Sequence, residues 1–361
     1  MVALLRSTDG EPDSRFEKYV DFLEEKKVPY ITICWDRRCN KQATDKKFYY
    51  KRPSEYGARY GNIAGLLGFN RYILKTLWNN RKKYKVIHAC DFDTIIPAII
   101  ARIFWGKKVI YDIFDWYVDS RSIKGLFKWI VYAQEFINIK LSEAVIICEE
   151  ERRAQIIYNP KQLWILPNIP NFKTKLPQVP KNKKMTIGYV GILTSGRGLE
   201  NLINYCKVNN NINLKIGGFG TLEPMLLDAD KFDNITYFGS VPYIKALEIL
   251  NSADIVYAMY QKINKNHILA APNKYYEGLY LGKPIITTAG TIVGDKTQKY
   301  NTGFVIEESY EDLTKLLSSL NYSDIVEMGQ NAKNLWDGKY SSYVAEFLNN
   351  TYLPLIEKYT K

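Results

Sequence analysis

Four side chains in the second half of this 361-residue chain are of types that hold and polarise a diphosphate: Arg197, Asn273, Lys274 and Glu277. Three of them stand in Ala271-Pro272-Asn273-Lys274-Tyr275-Tyr276-Glu277-Gly278-Leu279-Tyr280-Leu281-Gly282-Lys283-Pro284-Ile285-Ile286-Thr287-Thr288. Pro272 is tolerated at the start of a helix, Gly282 suits a left-handed C-cap, and Lys283-Pro284 forbids continuation. The spacing predicts a short helix followed by a buried strand from Ile285 to Thr288. The free N–H groups of Asn273 to Tyr275 would point out of the helix end that carries partial positive charge, which attracts phosphate. Glu277 shares the face of Asn273 one turn further in, where a carboxylate can accept from the two vicinal hydroxyls of a ribose. The other reading of the same residues is a capped helix with a solvated glutamate.

Arg197 belongs to Ile187-Gly188-Tyr189-Val190-Gly191-Ile192-Leu193-Thr194-Ser195-Gly196-Arg197-Gly198-Leu199, a strand, a glycine-rich turn and a helix start. Glycines let backbone amides approach phosphate, and a guanidinium gives the fork that pairs with its oxygens. The alternative is a turn with a surface arginine. Gly217-Gly218-Phe219-Gly220 after a strand is a weaker signal, since glycines also serve plain tight turns. In the first half, His88-Ala89-Cys90-Asp91-Phe92-Asp93 and Val109-Ile110-Tyr111-Asp112-Ile113-Phe114-Asp115 place carboxylates just beyond strand ends, where α/β sheets hold ligands. Asp91 and Asp115 either face a substrate or cap the helices that follow.

The run from Pro272 to Ile286 resembles the donor-nucleotide segment of retaining GT-B glycosyltransferases, specifically family four in its P-N-K-hydrophobic-F-E-Y-x-x-x-G-K-P variant. The resemblance implies an α/β GT-B fold: two Rossmann-like domains facing a cleft, with a C-terminal helix crossing back to the first. It implies a nucleotide-sugar donor, UDP- or GDP-linked, gripped by Gly191, Arg197, Gly198, Gly218, Gly220, Val241, Asn273, Lys274 and Glu277. Phe238-Gly239-Ser240-Val241-Pro242 corresponds to the loop whose backbone reads the base, and is also a helix start capped by Ser240. The acceptor side falls to Asp9, Gly10, Asp91 and Asp115, and the catalytic set to Arg197, Lys274 and Asp115. Three positions depart from the family pattern. The usual arginine after the strand glycine is Ile192, the first glutamate of E-x7-E is Leu269, and the histidine of Y-D-x-H-D is Phe114. The second departure opens the question of how the sugar is held, for which His267 and the loop Gln261 to Ala270 are candidates, unless His267 is simply exposed.

The elements needed to position these residues are legible in outline. Apolar runs at Val2 to Leu5, Tyr30 to Trp35, Val86 to Ala89, Val109 to Asp112, Ala144 to Cys148 and Trp164 to Leu166 alternate with helical patterns, including a long one from about Ser122 to Ser142. After Pro167-Asn168-Ile169-Pro170 and the Pro- and Lys-rich Lys173 to Lys184 the alternation restarts at Met185. We expect an acceptor domain over 1–170, a donor domain over 171–335, and a helix over 336–361 that packs on the first domain.

Composition restricts the function further. An excess of 50 Lys and Arg over 38 Asp and Glu, net +12, implies an anionic partner. The basic surplus is spread along the chain, which speaks against a nucleic-acid binder, and scarce histidine speaks against a nucleotide-sugar epimerase with the same fold. Those two remain the alternatives to a glycosyltransferase acting on a glycan or lipid-linked acceptor in cell-surface polysaccharide or glycolipid synthesis. Two histidines and no ligand spacing predict no metal, and no other cofactor is expected. Cys34, Cys39, Cys90, Cys148 and Cys206 read as reduced thiols of a cytoplasmic protein, and no signal peptide is apparent. Arg121 to Leu141 carries Ile123, Leu126, Phe127 and Ile130 on one face, with Trp129, Tyr132, Phe136, Lys124 and Lys128 around it, and the helix from Phe69 to Lys85 ends in a basic cluster. Both are either core helices or a peripheral contact with an anionic membrane.

Overall fold

The computed structural model describes residues 1–361 except 11, 12, 55–60, 157, 173–178, 180, 181 and 361, and no side chain is described at 61 or 62. Pro12 and most of the Pro- and Lys-rich stretch from Lys173 to Lys184 therefore lie outside the described residues. The chain divides into two compact units, Met1–Pro167 with Val344–Lys361, and Asn168–Tyr343.

The first unit is built on a parallel sheet of β1 (Val2–Arg6), β2 (Tyr30–Asp36), β3 (Lys47–Lys51), β4 (Val86–Cys90), β5 (Lys108–Ile113), β6 (Ala144–Ile147) and β7 (Leu163–Ile165), in the order β3-β2-β1-β4-β5-β6-β7. Its helices are α1 (Ser14–Glu25), α2 (Gly61–Asn79), α3 (Phe92–Trp105), α4 (Tyr117–Ser120) and α5 (Gly125–Leu141). The second unit repeats the plan with β8 (Thr186–Ile192), β9 (Asn213–Phe219), β10 (Ile235–Tyr237), β11 (Ile255–Tyr257), β12 (Ile285–Thr288) and β13 (Gly303–Ile306), in the order β10-β9-β8-β11-β12-β13. Its helices are α6 (Leu199–Val208), α7 (Glu223–Ala229), α8 (Tyr243–Asn251), α9 (Lys265–Ile268), α10 (Asn273–Leu281), α11 (Ile292–Tyr300), α12 (Tyr310–Ser319) and α13 (Tyr322–Leu335). In each sheet the winding reverses once, between β1 and β4 and between β8 and β11, and such reversals open the crevice where doubly wound sheets hold ligands.

Strands buried on both faces must be apolar throughout, and Val2, Ala3, Leu4 and Leu5 are fully buried. Each unit has its own hydrophobic core. The last helices, α14 (Tyr343–Phe347) and α15 (Leu353–Thr360), flank a π-helical turn at Leu348–Tyr352. Tyr352 is buried in the first unit, its hydroxyl 2.8 Å from His88 Nδ1, so Val344–Lys361 packs with the first sheet, while residues up to Tyr343 stay with the second unit.

Three local expectations need correction. The long helix expected from about Ser122 to Ser142 is present but starts later: Ser122 and Gly125 both take positive φ, and α5 begins only at Gly125. Ser240 does not cap α8; Pro242 occupies the N-cap position and supplies no side-chain bond. The glycines at 217 and 218 close the strand β9 rather than forming a turn after it.

Candidate functional site

α10 forms as its sequence dictates. Pro272 is its N-cap, and Gly282 at φ +62° ends it, donating to the carbonyls of Gly278 and Leu279. Beside its first turn lie the ends of β8 and β9. Gly191, at the end of β8, pairs with Gly218 on β9, and both have positive φ. A Cβ on Gly218 would overlap the carbonyl of Gly191, and one on Gly220 would overlap that of Leu193, so only glycine permits this approach of backbone to backbone. A Cβ on Gly191 would lie 2.5 Å from Lys274 Nζ. The glycines therefore make the space into which Lys274 reaches.

Lys274 rests its ammonium over the Tyr189 ring, 4.5 Å from the centroid. Burial, opposed by Glu277 and reinforced by Arg197, pushes its pKa down to about 8. Arg197 stacks on Tyr260 at 4.2 Å, and its Nη1 is buried with no hydrogen-bond partner among the described residues. Two cations thus converge at the mouth of a glycine-lined crevice, one of them with an unused donor. Gly198, in the left-handed region at φ +65°, turns the chain from Arg197 into α6. Glu277 is 6% exposed and lies beside Tyr243 at the start of α8. Burial pushes its pKa up, against the pull of Lys274 and of Tyr243. A solvated glutamate is thereby ruled out. Val241 packs 3.3 Å from where a Cβ on Gly217 would stand, which fixes the loop before α8 against β9. Asn273 opens α10 at the same end as Lys274.

His267, expected on a loop, is half-buried within α9. Its Nδ1 is 2.9 Å from the Gln261 carbonyl, and its ring lies against the turn at Gly196. Leu269 follows that helix. The three tyrosines under and beside the charges, Tyr189, Tyr243 and Tyr260, were not singled out by sequence. Their only signal was the 28 tyrosines of the whole chain, which give no position.

In the first unit the candidate carboxylates meet different surroundings. Asp91 has φ +65° and ψ 167°, a backbone region that residues other than glycine rarely enter. It makes no cap bond to α3. Its Oδ1 instead accepts from the amides of Phe114, at 2.9 Å, and Asp115, and its Oδ2 pairs with Arg6. Burial raises its pKa to about 6 despite Arg6, with Asp115 and Asp93 adding to the rise. Asp115 does not cap α4, whose N-cap is Trp116; it pairs with Arg152 at 3.3 Å and is half-exposed. Phe114, where an imidazole would stand in the family pattern, lies under the guanidinium of Arg6 at 4.0 Å and near that of Arg15 at 5.0 Å. Asp9 and Gly10 line a separate cavity of about 440 Å³ between α1 and β2–β3, with Glu17, Asp21, Lys47 and Tyr49.

One group of potential metal ligands is found among the described residues: His88, Cys90 and Asp112, all buried, with ligand atoms within 4.8 Å of one another. The sequence spacing did not reveal it because the fold assembles it from β4 and β5. Its donors are committed elsewhere. Asp112 accepts from Arg15, at 2.7 and 3.1 Å, and from Tyr19, at 2.7 Å, while His88 bonds Tyr352. Burial and Asp112 hold the Cys90 thiol well above its ordinary pKa, so it stays protonated. The trio fits the polar centre of a core better than a metal site.

Residues 171–334 match the family of glycosyl transferases group 1. No curated protein sequence matches the chain. Solved structures that resemble it include a sucrose-phosphate synthase from Thermosynechococcus elongatus, with TM-score 0.75 and 13% identity over 99% of this chain and all of the other. HepE of Anabaena, solved with UDP and glucose, gives 0.70 and 11% over 98% of this chain and all of the other. WaaG, a glycosyltransferase involved in lipopolysaccharide biosynthesis, gives 0.69 and 15% over the whole of both chains. At such identities the likeness shows the fold, which is GT-B, and the family match makes the second unit a glycosyltransferase domain.

Proposed function

We propose that this glycosyltransferase is a retaining, metal-independent enzyme of the family-four type, which moves a sugar from a UDP- or GDP-linked donor to a glycan or lipid-linked acceptor in cell-surface polysaccharide or glycolipid synthesis. The observation that carries the reading is the pair of cations, Arg197 with a buried unpartnered Nη1 and Lys274 with a depressed pKa, at the glycine-lined ends of β8 and β9. A diphosphate supplies what both lack. As the sugar departs, negative charge grows on the leaving phosphate, and preset donors in a partly dry site stabilise that charge more than they stabilise the intact donor. Lys274 occupies the space beside Gly191, next to Ile192 where the family pattern has an arginine, and so takes over the missing phosphate contact. Glu277 accepts from the ribose hydroxyls. The acceptor hydroxyl attacks from the face the phosphate leaves, and a phosphate oxygen takes its proton, with Asp115 as the exposed carboxylate that orients the acceptor. The structural likeness to HepE, solved with UDP and glucose, supports a uridine nucleotide first. The test is calorimetric titration with UDP and GDP in the presence of a chelator: binding of either, weakened in Arg197→Ala, is expected, and no binding of either would refute the donor reading.

The enzyme works on the inner face of the cell membrane, in contact with anionic lipid through its first unit. α5 buries Val131, Glu135, Asn138 and Ile139, while Leu126, Phe127, Trp129 and Ile130 are more than half-exposed, as are Ile103 and Phe104 at the end of α3. No helix among the described residues is long and apolar enough to cross a membrane. Lys124, Lys128 and Lys140 accompany the apolar surface, and each cation near an anionic bilayer contributes ~1 kcal/mol. Co-sedimentation with phosphatidylserine vesicles at low salt is expected. Protein left in the supernatant would rule the contact out.

A further inference from the structure

The turn that carries Arg197 is held from behind by one short stretch of chain, Tyr257 to Gln261, which runs from the last residue of β11 into the loop beyond it. Tyr257 is 1% exposed, and its ring belongs to the core of the second unit. A phenylalanine would fill that core equally well, but the Tyr257 hydroxyl reaches out of it and donates to the Gly198 carbonyl at 2.8 Å. Further along the stretch, the Tyr260 ring carries the Arg197 guanidinium at 4.2 Å, and the Gln261 amide donates to the Gly196 carbonyl at 2.9 Å. Arg197 therefore stands between two peptide groups that are tied by their carbonyls to the same stretch, and its side chain rests on a third point of it. That stretch is itself anchored. The Tyr260 amide donates to the Thr288 hydroxyl at the end of β12, and the Gln261 carbonyl meets His267 Nδ1, both at 2.9 Å.

Of the two ties on the peptide groups, the one at Gly198 decides the aim of the arginine. Gly198, at φ +65°, has no side chain to hold it and turns the chain from Arg197 into α6, so a rotation of its peptide swings Arg197 against the helix. The Gly198 carbonyl also receives the Leu202 amide, but at 3.4 Å, so the Tyr257 hydroxyl makes the shorter bond. The fit leaves no slack: a Cβ on Gly198 would stand 2.9 Å from that hydroxyl. We propose that Tyr257 is a positioning residue of the donor site: its hydroxyl fixes the Gly198 peptide and so keeps the unpartnered Nη1 of Arg197 aimed at the diphosphate. The proposal rests on the donor reading above and extends it to a residue that touches no reacting atom. A donor that is already in place stabilises a phosphate better than one that must first be ordered.

Calorimetric titration of wild type, Tyr257→Phe, Arg197→Ala and the double variant with UDP and GDP at pH 7 tests this. Tyr257→Phe keeps the ring in the core and loses only the hydroxyl. It is expected to weaken binding by about tenfold, the size of one hydrogen bond to a charge. In the Arg197→Ala background the same substitution should change affinity less than about twofold, because Tyr257 acts through the side chain already removed. Should Tyr257→Phe fail to fold, Gly198→Ala crowds the same contact from the loop side and takes its place in the comparison. Binding by Tyr257→Phe as tight as by wild type, with Arg197→Ala weakened, overturns the role of Tyr257 and leaves the donor reading intact. So does an equal loss in both backgrounds, which marks the hydroxyl as support for the fold alone. Binding unchanged in Arg197→Ala, or absent from the wild type, overturns both.

Discussion

The ends of the two central strands, β1 in the first unit and β8 in the second, occupy equivalent places in their sheets and treat charge in opposite ways. Around the end of β1 the charges neutralise one another. Arg6 bonds Asp13 at 2.6 Å and also pairs with Asp91, Arg15 pairs with Asp112 at 2.7 Å, Arg121 with Asp93 at 3.1 Å, and Arg152 with Asp115 at 3.3 Å. Lys18 finds no partner among the described residues, but burial and Arg15 push its pKa down to about 7, so its charge is easily given up near neutral pH. Around the end of β8, Arg197 and Lys274 lie on tyrosine rings, which leave the cationic groups charged and able to meet an anion. A buried ion pair whose hydrogen bonds are complete adds little net stability yet is costly to break, because the survivor is stranded. Arg197 on the Tyr260 ring strands no carboxylate among the described residues when it is removed. The first arrangement fixes a backbone, and the second waits for a ligand.

The largest expected effect breaks this comparison by exchanging one arginine in each unit. Arg15→Ala leaves the Asp112 carboxylate buried beside Tyr19 and His88, and should cost about 3–5 kcal/mol of stability, seen as a fall in denaturant midpoint. Although burial alone would raise it, Arg15 and His88 hold the Asp112 carboxyl well below its usual range. A depressed carboxyl pKa contributes stability that is complete above the unfolded value near 4 and is lost as pH falls below it. Wild type should therefore lose stability below about pH 4 more steeply than Arg15→Ala does. Arg197→Ala should reverse the pattern, with the denaturant midpoint within about 0.5 kcal/mol of wild type and turnover down by roughly 100-fold. Equal losses of stability in both variants would show that the two ends are not different in kind.

What the sequence disclosed follows the same division. The residues proposed to hold the donor could be picked out because they stand in short contiguous runs: Pro272 and Gly282 bound one nine-residue helix that carries Asn273, Lys274 and Glu277. Gly191, Gly218 and Gly220 could be read as glycines that allow close approach, and the structure adds that what approaches is partly Lys274 itself. The parallel strands were legible from uninterrupted apolar runs, and so was α5 except for its start, which the positive φ of Ser122 and Gly125 sets by a backbone conformation that no periodicity reports. Asp91 and Asp115 could be named as candidates, yet their partners come from β1, the turn after β5 and the turn after β6, so neither the Arg6 pair nor the amide cradle has a local signature. The His88, Cys90 and Asp112 trio is invisible for the same reason. Tyr189, Tyr243 and Tyr260 act through their position alone, and a tyrosine in an aromatic-rich sequence does not announce which of its neighbours will be a cation.

The smallest effect sharpens the comparison by asking how the charge of the donor end depends on pH. Lys274 is held near pKa 8, below the ordinary lysine value, chiefly by burial and further by Arg197, against the pull of Glu277. For a base with a lowered pKa, the charged form persists below about pH 8 and is lost as pH rises through it. The free enzyme would then meet its donor with two cations at pH 7 and with one at pH 9. Since kcat/KM reports the ionisation of free enzyme, its logarithm should bend downward near pH 8 in wild type. Lys274→Met keeps the length and the contact with Tyr189 but has no charge to lose. Its kcat/KM should be about tenfold lower at pH 7, the lower end for a charged hydrogen bond shared with Arg197, and should run flat through the pH range in which wild type bends. In Arg197→Ala the bend should move to higher pH, because the neighbour that helps depress Lys274 is gone. A bend at the same pH in wild type, Lys274→Met and Arg197→Ala would assign it to another group and remove Lys274 from the phosphate site.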